Sequence, residues 1–341
     1  MKTKLGVVLS GGGAKGAYEA GFLKALSEFD IQPDAIAGTS IGALNGSVYS
    51  ANKNTKDVAI FLEKIWKDLA NTPALQFDKI KVFKNIVDVV TFFSPLAPVG
   101  KVAKTLSYLA TKGSNSEGVL SDKPISNVLE NYASIDKLLN GLPFYVGLTQ
   151  SSGNFIDTLR FLGLENSGLT EYKRVQDLNE EDIYKTILAS AALPILFDAQ
   201  KIGGKKYRDG CLGSLSNEWG NTPAKPLIES ENCTHLIVCH LNEGSFFNRN
   251  DELFKNVNII EVRPEFGTFN SSLDPLRFSV DKIDIWIEQG YKDSKRILAE
   301  SFNALSAKYE RIQSEIKSDI AIERLKNKNF FIFDILIKIR I

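Results

Sequence analysis

The chain has 341 residues, with 41 basic against 41 acidic side chains, 43% hydrophobic and 24% charged residues, three cysteines and two histidines. This composition excludes a disordered or fibrous chain and a disulfide scaffold, and the lack of a basic excess argues against a nucleic-acid polymer as partner. The length accommodates one large domain or two ordinary ones.

The chain opens with Lys2 and Lys4, followed by an apolar run over residues 5–9. That run is too short for the hydrophobic part of a leader, and it reads as a buried strand. With no leader in sight, a cytoplasmic location is expected. No apolar stretch approaches the roughly 20 residues of a membrane span. Cys211, Cys233 and Cys239 are too few and too scattered for a zinc site, and nothing in the pattern calls for a metal or a cofactor.

The first 50 residues read as a β-α-β-α unit. A continuous apolar strand leads into the glycine loop 11–16, and a helix follows with Tyr18, Phe22, Ala25, Leu26 and Phe29 on one face. Pro33-Asp34 ends that helix. A second short strand covers 35–37, and a helix starts at Ile41. Residues 57–70 form an amphipathic helix with Val58, Leu62, Ile65, Trp66 and Leu69 on its face.

Residues 73–118 break the pattern. Phe77, Phe83, Phe92 and Phe93 stand among six lysines, with only Asp78, Asp88 and Glu117 against them. The segment reads as an insertion in the α/β frame, serving as a lid, as a membrane-docking surface or as added core. Residues 144–149 and 155–161 are expected as strands joined by the Ser151-Ser152-Gly153 turn. A helix over 182–192 stops before Pro194. Gly203-Gly204 turns a hairpin over 201–208, and 235–241 and 258–262 are apolar strands. From residue 281 the pattern is helical, and the chain ends in the apolar, basic stretch 330–341. The predicted organisation is an α/β domain over 1–280 with a helical C-terminal extension over 281–341.

Two motifs carry chemistry. Gly38-Thr39-Ser40-Ile41-Gly42 fits G-x-S-x-G between a strand and a helix. A turn that sharp brings backbone atoms together, which is why Gly38 and Gly42 flank it, and it projects the Ser40 hydroxyl at a helix N-terminus. The bland reading is a strand–helix turn with Ser40 as N-cap. The second motif is the loop Gly11, Gly12, Gly13, Ala14, Lys15, Gly16, whose successive N–H groups make an anion nest. It also satisfies G-x-G-x-x-G, so nucleotide binding is an alternative. No acidic residue closes the second strand, however, and Lys15 is followed by Gly rather than Ser or Thr. An oxyanion hole beside Ser40 fits better, because neighbouring parallel strands end on one sheet edge.

The base is the remaining question. His235 and His240 lie five apart on one apolar strand and therefore face opposite sides. Asp209-Gly210 closes the hairpin strand. The order Ser40, Asp209, His240 keeps a Ser-His-Asp hydrolase triad open beside a Ser–Asp pair.

Taken together, three blocks resemble the patatin-like phospholipase family. The loop Gly11–Gly16 is similar to its G-G-G-x-[RK]-G motif, and the pentapeptide around Ser40 to its elbow. Ala189-Ser190-Ala191-Ala192-Leu193-Pro194 through Asp209-Gly210 is similar to the stretch that leads to its D-G-[GA] motif. The resemblance covers roughly residues 5–227. It implies a three-layer α/β sandwich with a mainly parallel sheet. It also implies hydrolysis of membrane phospholipid esters, of phospholipase A or lysophospholipase type, with peripheral membrane contact. Ser40 would be the nucleophile, Asp209 the base, and the glycine loop the oxyanion hole. Some bacterial members of the family are antiviral effectors switched on by cyclic nucleotides, so a cyclic-nucleotide activator and an oligomeric state belong to the expectation. Two departures stand out. Cys211 follows Asp-Gly, and Asn221-Thr222-Pro223 comes only after the extra stretch 213–220, which reads as a loop at the rim of the site.

Overall fold

The computed structural model describes residues 3–75, 121–161, 165–166, 168–194, 196–212, 219–245, 247–271 and 273–339. Nearly all of the expected insertion, and most of the 213–220 stretch, lie outside the described residues.

The strands β1 (Leu5–Leu9), β2 (Ala35–Thr39), β3 (Phe144–Gln150), β4 (Thr170–Arg174), β5 (Gln200–Ile202), β6 (Lys205–Asp209), β7 (His235–Cys239) and β8 (Asn258–Val262) form one sheet. Its centre is parallel: β1 lies between β2 and β7, β8 extends it beyond β7, and β3 follows β2. β1 and β2 are buried along nearly their whole length, as strands covered on both faces must be. The α-helices among the described residues are α1 (Ala17–Glu28), α2 (Ile41–Asn52), α3 (Thr55–Ala70), α4 (Lys123–Tyr132), α5 (Ile135–Leu139), α6 (Asn154–Phe161), α7 (Glu180–Ser190), α8 (Lys225–Glu229) and α9 (Val280–Ile339). The fold is α/β, a mixed sheet with helices on both sides. Trp66, Trp286, Tyr18, Tyr49, Phe22 and Phe144 are fully buried and supply much of the core volume.

One topological detail positions everything that follows. β4 runs antiparallel to β3 along one edge. The other edge is shared by two strands: β2 pairs up to Thr39↔Gly147, and β6 pairs from Asp209↔Leu148 onward. β2 runs parallel to β3 and β6 antiparallel, so the two strands meet end to end. Their last residues face adjacent positions of β3, and Ser40 directly follows Thr39.

The expected strand over 155–161 is a helix. α6 turns Asp157 and Thr158 inward, where Asp157 is fully buried against Arg208 of β6 (Nε–Oδ2 3.0 Å). A strand would alternate its faces and could not bury two successive polar residues together. The edge of β3 predicted for this segment is taken by β4 instead.

The chain divides into two compact units, Met1–Lys295 and Arg296–Ile341. In the first, the opening turns of α9 bury Ile283 and Trp286, and Asp293 accepts a hydrogen bond from the Tyr18 hydroxyl (2.9 Å). The second is helical through Ile339 and exposes Leu305, Tyr309, Ile312 and Ile316. Among the described residues no helix is long and apolar enough to cross a membrane.

Candidate active site

The sequence of the elbow dictates its geometry. Ser40 sits at the N-terminus of α2 with φ 56°, ψ −124°, a left-handed conformation that side chains rarely adopt. A Cβ on Gly38 would stand 2.3 Å from the Gly42 carbonyl oxygen, and one on Gly42 would stand 2.4 Å from that of Leu9. Neither backbone can yield, so only glycine fits at either position. The Ser40 side chain makes no capping hydrogen bond. Its hydroxyl is therefore not spent on the helix, as the N-cap reading would require.

What holds this turn is a residue the sequence reading did not single out. The Ser40 N–H donates to Ser190 Oγ (2.8 Å), and the Ser190 hydroxyl donates to the Gly147 carbonyl (2.7 Å). Ser190, on the last turn of α7, is fully buried. It ties the elbow to the point on β3 where β2 stops and β6 begins. Its only sequence signal was its place in the Ala-Ser-Ala-Ala-Leu-Pro block.

Asp209 is fully buried at the end of β6. Its Oδ1 accepts the Cys211 N–H (2.9 Å), while Oδ2 has no hydrogen-bond partner among the described residues. Burial pushes its carboxyl up to about 6, against the opposing pull of the Cys211 N–H, the Ser40 hydroxyl and the Cys211 thiol. Burial, with Asp209 beside it, holds the Cys211 thiol far above its ordinary range, so it stays protonated.

The glycine loop faces the same space. Gly13 has φ +58° and backs directly onto the Pro275 carbonyl, which a Cβ would approach to 2.2 Å. The Gly11 N–H is engaged with the Asn221 carbonyl (3.2 Å). The next N–H groups along the loop, those of Gly12 and Gly13, have no partner among the described residues. Ala14 and Gly16 are buried and belong to the short 3₁₀ turn Gly13–Gly16 that opens onto α1. Lys15 stands 4.8 Å from the Phe269 ring. Burial lowers its pKa to about 8, against the attraction of Asp274 and Glu243. Gly220 and Thr222 brace this wall: Thr39 Oγ1 donates to the Gly220 carbonyl (2.6 Å), and the Ser10 and Thr222 hydroxyls are hydrogen-bonded (3.1 Å).

Gly11, Gly12, Gly13, Lys15, Ser40 and Asp209 line one open cavity of about 370 Å³, with Arg160, Phe161, Cys211 and Asn221 among its other walls. Neither histidine lines it. His240 is buried with Nε2 on Glu261 of β8 (3.1 Å) and its pKa lowered chiefly by burial. His235 bonds Thr234 and Asn258. The arrangement thus offers a hydroxyl on a strained turn, a buried carboxylate with an open oxygen, and backbone donors on the facing wall. Those are the parts an ester acyl transfer needs. Among the described residues no cluster of side chains suits a metal ion.

Comparison with known proteins finds similar chains. In the lysophospholipase nte1 of Aspergillus terreus, 46 residues are 54% identical, covering 14% of this chain and 3% of that protein. In the neuropathy target esterase sws of Drosophila melanogaster, 54 residues are 46% identical, covering 16% and 4%. The match therefore spans only a small fraction of these curated relatives. Among solved structures, VipD from Legionella pneumophila is 14% identical with a TM-score of 0.40, over 88% of this chain and 67% of that one. ExoU of Pseudomonas aeruginosa, solved in complex with SpcU, is 15% identical with a TM-score of 0.35, over 87% and 52%. The model of the patatin-like phospholipase family matches residues 7–218, a stretch that runs from β1 past Asp209 and takes in the glycine loop and the elbow. The chain belongs to the patatin-like phospholipase family.

Proposed function

We propose that the protein is a lipid acyl hydrolase of phospholipase A or lysophospholipase type, using a Ser40–Asp209 dyad and a glycine-loop oxyanion hole. Asp209 takes the Ser40 proton on its open Oδ2, and Ser40 Oγ attacks the ester carbonyl carbon. The oxyanion is met by the Gly12 and Gly13 N–H groups, with the positive end of α2 behind Ser40. As the tetrahedral intermediate collapses, Asp209 returns the proton to the leaving alcohol. Water, deprotonated by Asp209, then cleaves the acyl-enzyme, and Ser40 recovers its hydrogen.

The observation that carries this reading is the end-to-end meeting of β2 and β6 on one edge of β3, which puts Ser40 and Asp209 into one cavity. A Ser-His-Asp route has less support, because His240 is committed to Glu261. The names of the relatives, a lysophospholipase and an esterase, agree with the reaction class. Membrane phospholipid is the proposed substrate, met at a bilayer surface by peripheral contact.

The test is mass spectrometry of products from mixed phospholipid vesicles. Wild-type protein should release free fatty acid and lysophospholipid, or glycerophosphodiester. Ser40→Ala should release none, since loss of the nucleophile removes the covalent route, worth a factor on the order of 10⁶ in a serine hydrolase. Undiminished release by Ser40→Ala would overturn the proposal.

A further inference from the structure

A substrate that carries a phosphodiester brings a negative charge into a cavity that already holds the Asp209 carboxylate. Among the described residues two cationic side chains line that cavity, Lys15 and Arg160. Lys15 is already faced by Asp274 and Glu243 and stacked over Phe269. Arg160, on the last turn of α6, is placed differently.

The buried carboxylate nearest to Arg160 is Asp157, and it is largely taken. Its Oδ2 receives Arg208 Nε (3.0 Å) and the Ser151 hydroxyl, and its Oδ1 receives the Ser152 N–H (3.0 Å). Arg160 reaches only the edge of it, with Nη1 at 3.4 Å from Oδ1. Arg160 Nε donates to the Asn166 carbonyl (3.1 Å), which fixes the plane of the guanidinium. Of its five N–H donors, the second on Nη1 and both on Nη2 have no partner among the described residues. The side chain is 15% exposed and lines the open cavity, so these donors are available to a ligand there. A guanidinium held flat and short of protein acceptors is suited to two oxygens of a phosphate, in the forked geometry that a lysine does not reproduce.

We propose that Arg160 is the phosphate-recognition residue of this cavity: it takes the phosphodiester of a phospholipid whose acyl ester lies at Ser40, and so selects phospholipid over neutral lipid ester. Phe161, beside it on the same wall, gives the adjoining glycerol and acyl chain an apolar surface. The inference rests on the ester-hydrolase reading above, and its test separates the two.

The experiment measures kcat/KM for two soluble substrates with the same acyl chains, diheptanoylphosphatidylcholine and diheptanoylglycerol, in wild type, Arg160→Gln and Arg160→Lys. The phospholipid-to-diacylglycerol ratio should fall at least 30-fold in Arg160→Gln and by a smaller factor in Arg160→Lys. Glycerophosphocholine should inhibit diheptanoylglycerol hydrolysis by wild type, with at least a tenfold weaker inhibition constant in Arg160→Gln. A merely structural role would lower both rates together and leave the ratio and the inhibition constant unmoved, and that result would overturn the proposal. A wild-type protein that cleaves diheptanoylglycerol but not the phospholipid would also sink it, while leaving the ester-hydrolase reading standing. Loss of that broader reading would show as no Ser40-dependent hydrolysis of either substrate.

Discussion

A carboxylate with an ordinary pKa near 4 is a poor base for a serine hydroxyl, and burial is what would suit Asp209 to the proposed dyad. With its carboxyl raised to about 6 by desolvation, Asp209 is ionised above that pH, as its proposed role as base requires, and protonated below it. The rate of soluble-ester hydrolysis should therefore rise with pH through an inflection near 6 and level off above it, in a pH profile of kcat/KM. The same shift has a cost to the fold. The folded pKa lies above the unfolded one, so the folded state binds this proton more tightly. The destabilisation is absent below pH 4, grows between about 4 and 6, and is complete above 6. Asp209→Asn should thus abolish hydrolysis yet raise stability at pH 8 by on the order of 1–3 kcal/mol, read from denaturant unfolding. Unchanged or lowered stability would show that the buried carboxylate is better solvated than its burial indicates. Ser190 acts through the elbow rather than on substrate. Ser190→Ala leaves the Ser40 N–H and the Gly147 carbonyl buried without partners, at about 1–3 kcal/mol each. The left-handed turn at Ser40 loses its tether, so kcat should fall at least tenfold with KM little changed. Steady-state kinetics in which KM alone moves would argue against a positioning role.

At the scale of elements, the site depends on α6 lying against β6, because Arg208 immediately precedes Asp209. The Arg208–Asp157 pair is buried on both sides, and Arg208 also donates to the Phe197 carbonyl (2.9 Å). Such a pair is weak evidence for stability as a whole, but removing one member strands the other. Asp157→Ala should cost about 3–5 kcal/mol, measured by thermal or denaturant unfolding, and a loss below 1 kcal/mol would mean that water reaches Arg208. This element is also where the sequence was hardest to read. Phe155, Ile156 and Thr158 have strand propensity and follow a Ser-Ser-Gly turn, so local signals favour a hairpin. The partner that makes the segment helical is an arginine 51 residues away in the chain. By contrast, β1, the glycine loop, β2, the elbow and α2 were legible because each is specified locally. A continuous apolar run, a glycine forced by contact with its own neighbours and a 3.6-residue periodicity all lie within one short window. Ser40 and Asp209 could be named from their motifs. The reason they meet, two strands ending head-on along β3, is a property of the sheet and of no single stretch. Ser190 was hidden for the same reason: its partners, Ser40 and Gly147, are 150 and 43 residues away.

Over the whole molecule, a net charge of zero conceals segregation. Residues 324–341 hold Arg324, Lys326, Lys328, Lys338 and Arg340 against Asp334 alone, interleaved with Phe330, Phe331, Ile332, Phe333 and Ile335. The backbone is helical through Ile339, in the unit Arg296–Ile341. A stretch of that composition combines the two terms that hold a helix at an anionic interface. These are apolar area for the acyl boundary and basic groups worth roughly 1 kcal/mol each near the surface. An enzyme whose substrate sits in a membrane gains from such an anchor through local concentration, with no change to its chemistry. The two contributions can be measured apart. Deleting residues 330–341 should lower co-sedimentation with vesicles containing phosphatidylserine several-fold, and most strongly at low ionic strength, where screening is least. Hydrolysis of a soluble short-chain ester should be unaffected, because Ser40, Asp209 and the glycine loop all belong to the other unit. Vesicle binding that survives the deletion would move the membrane contact elsewhere in the chain. A parallel loss of soluble-ester activity would show that the terminal helix supports the fold rather than the interface.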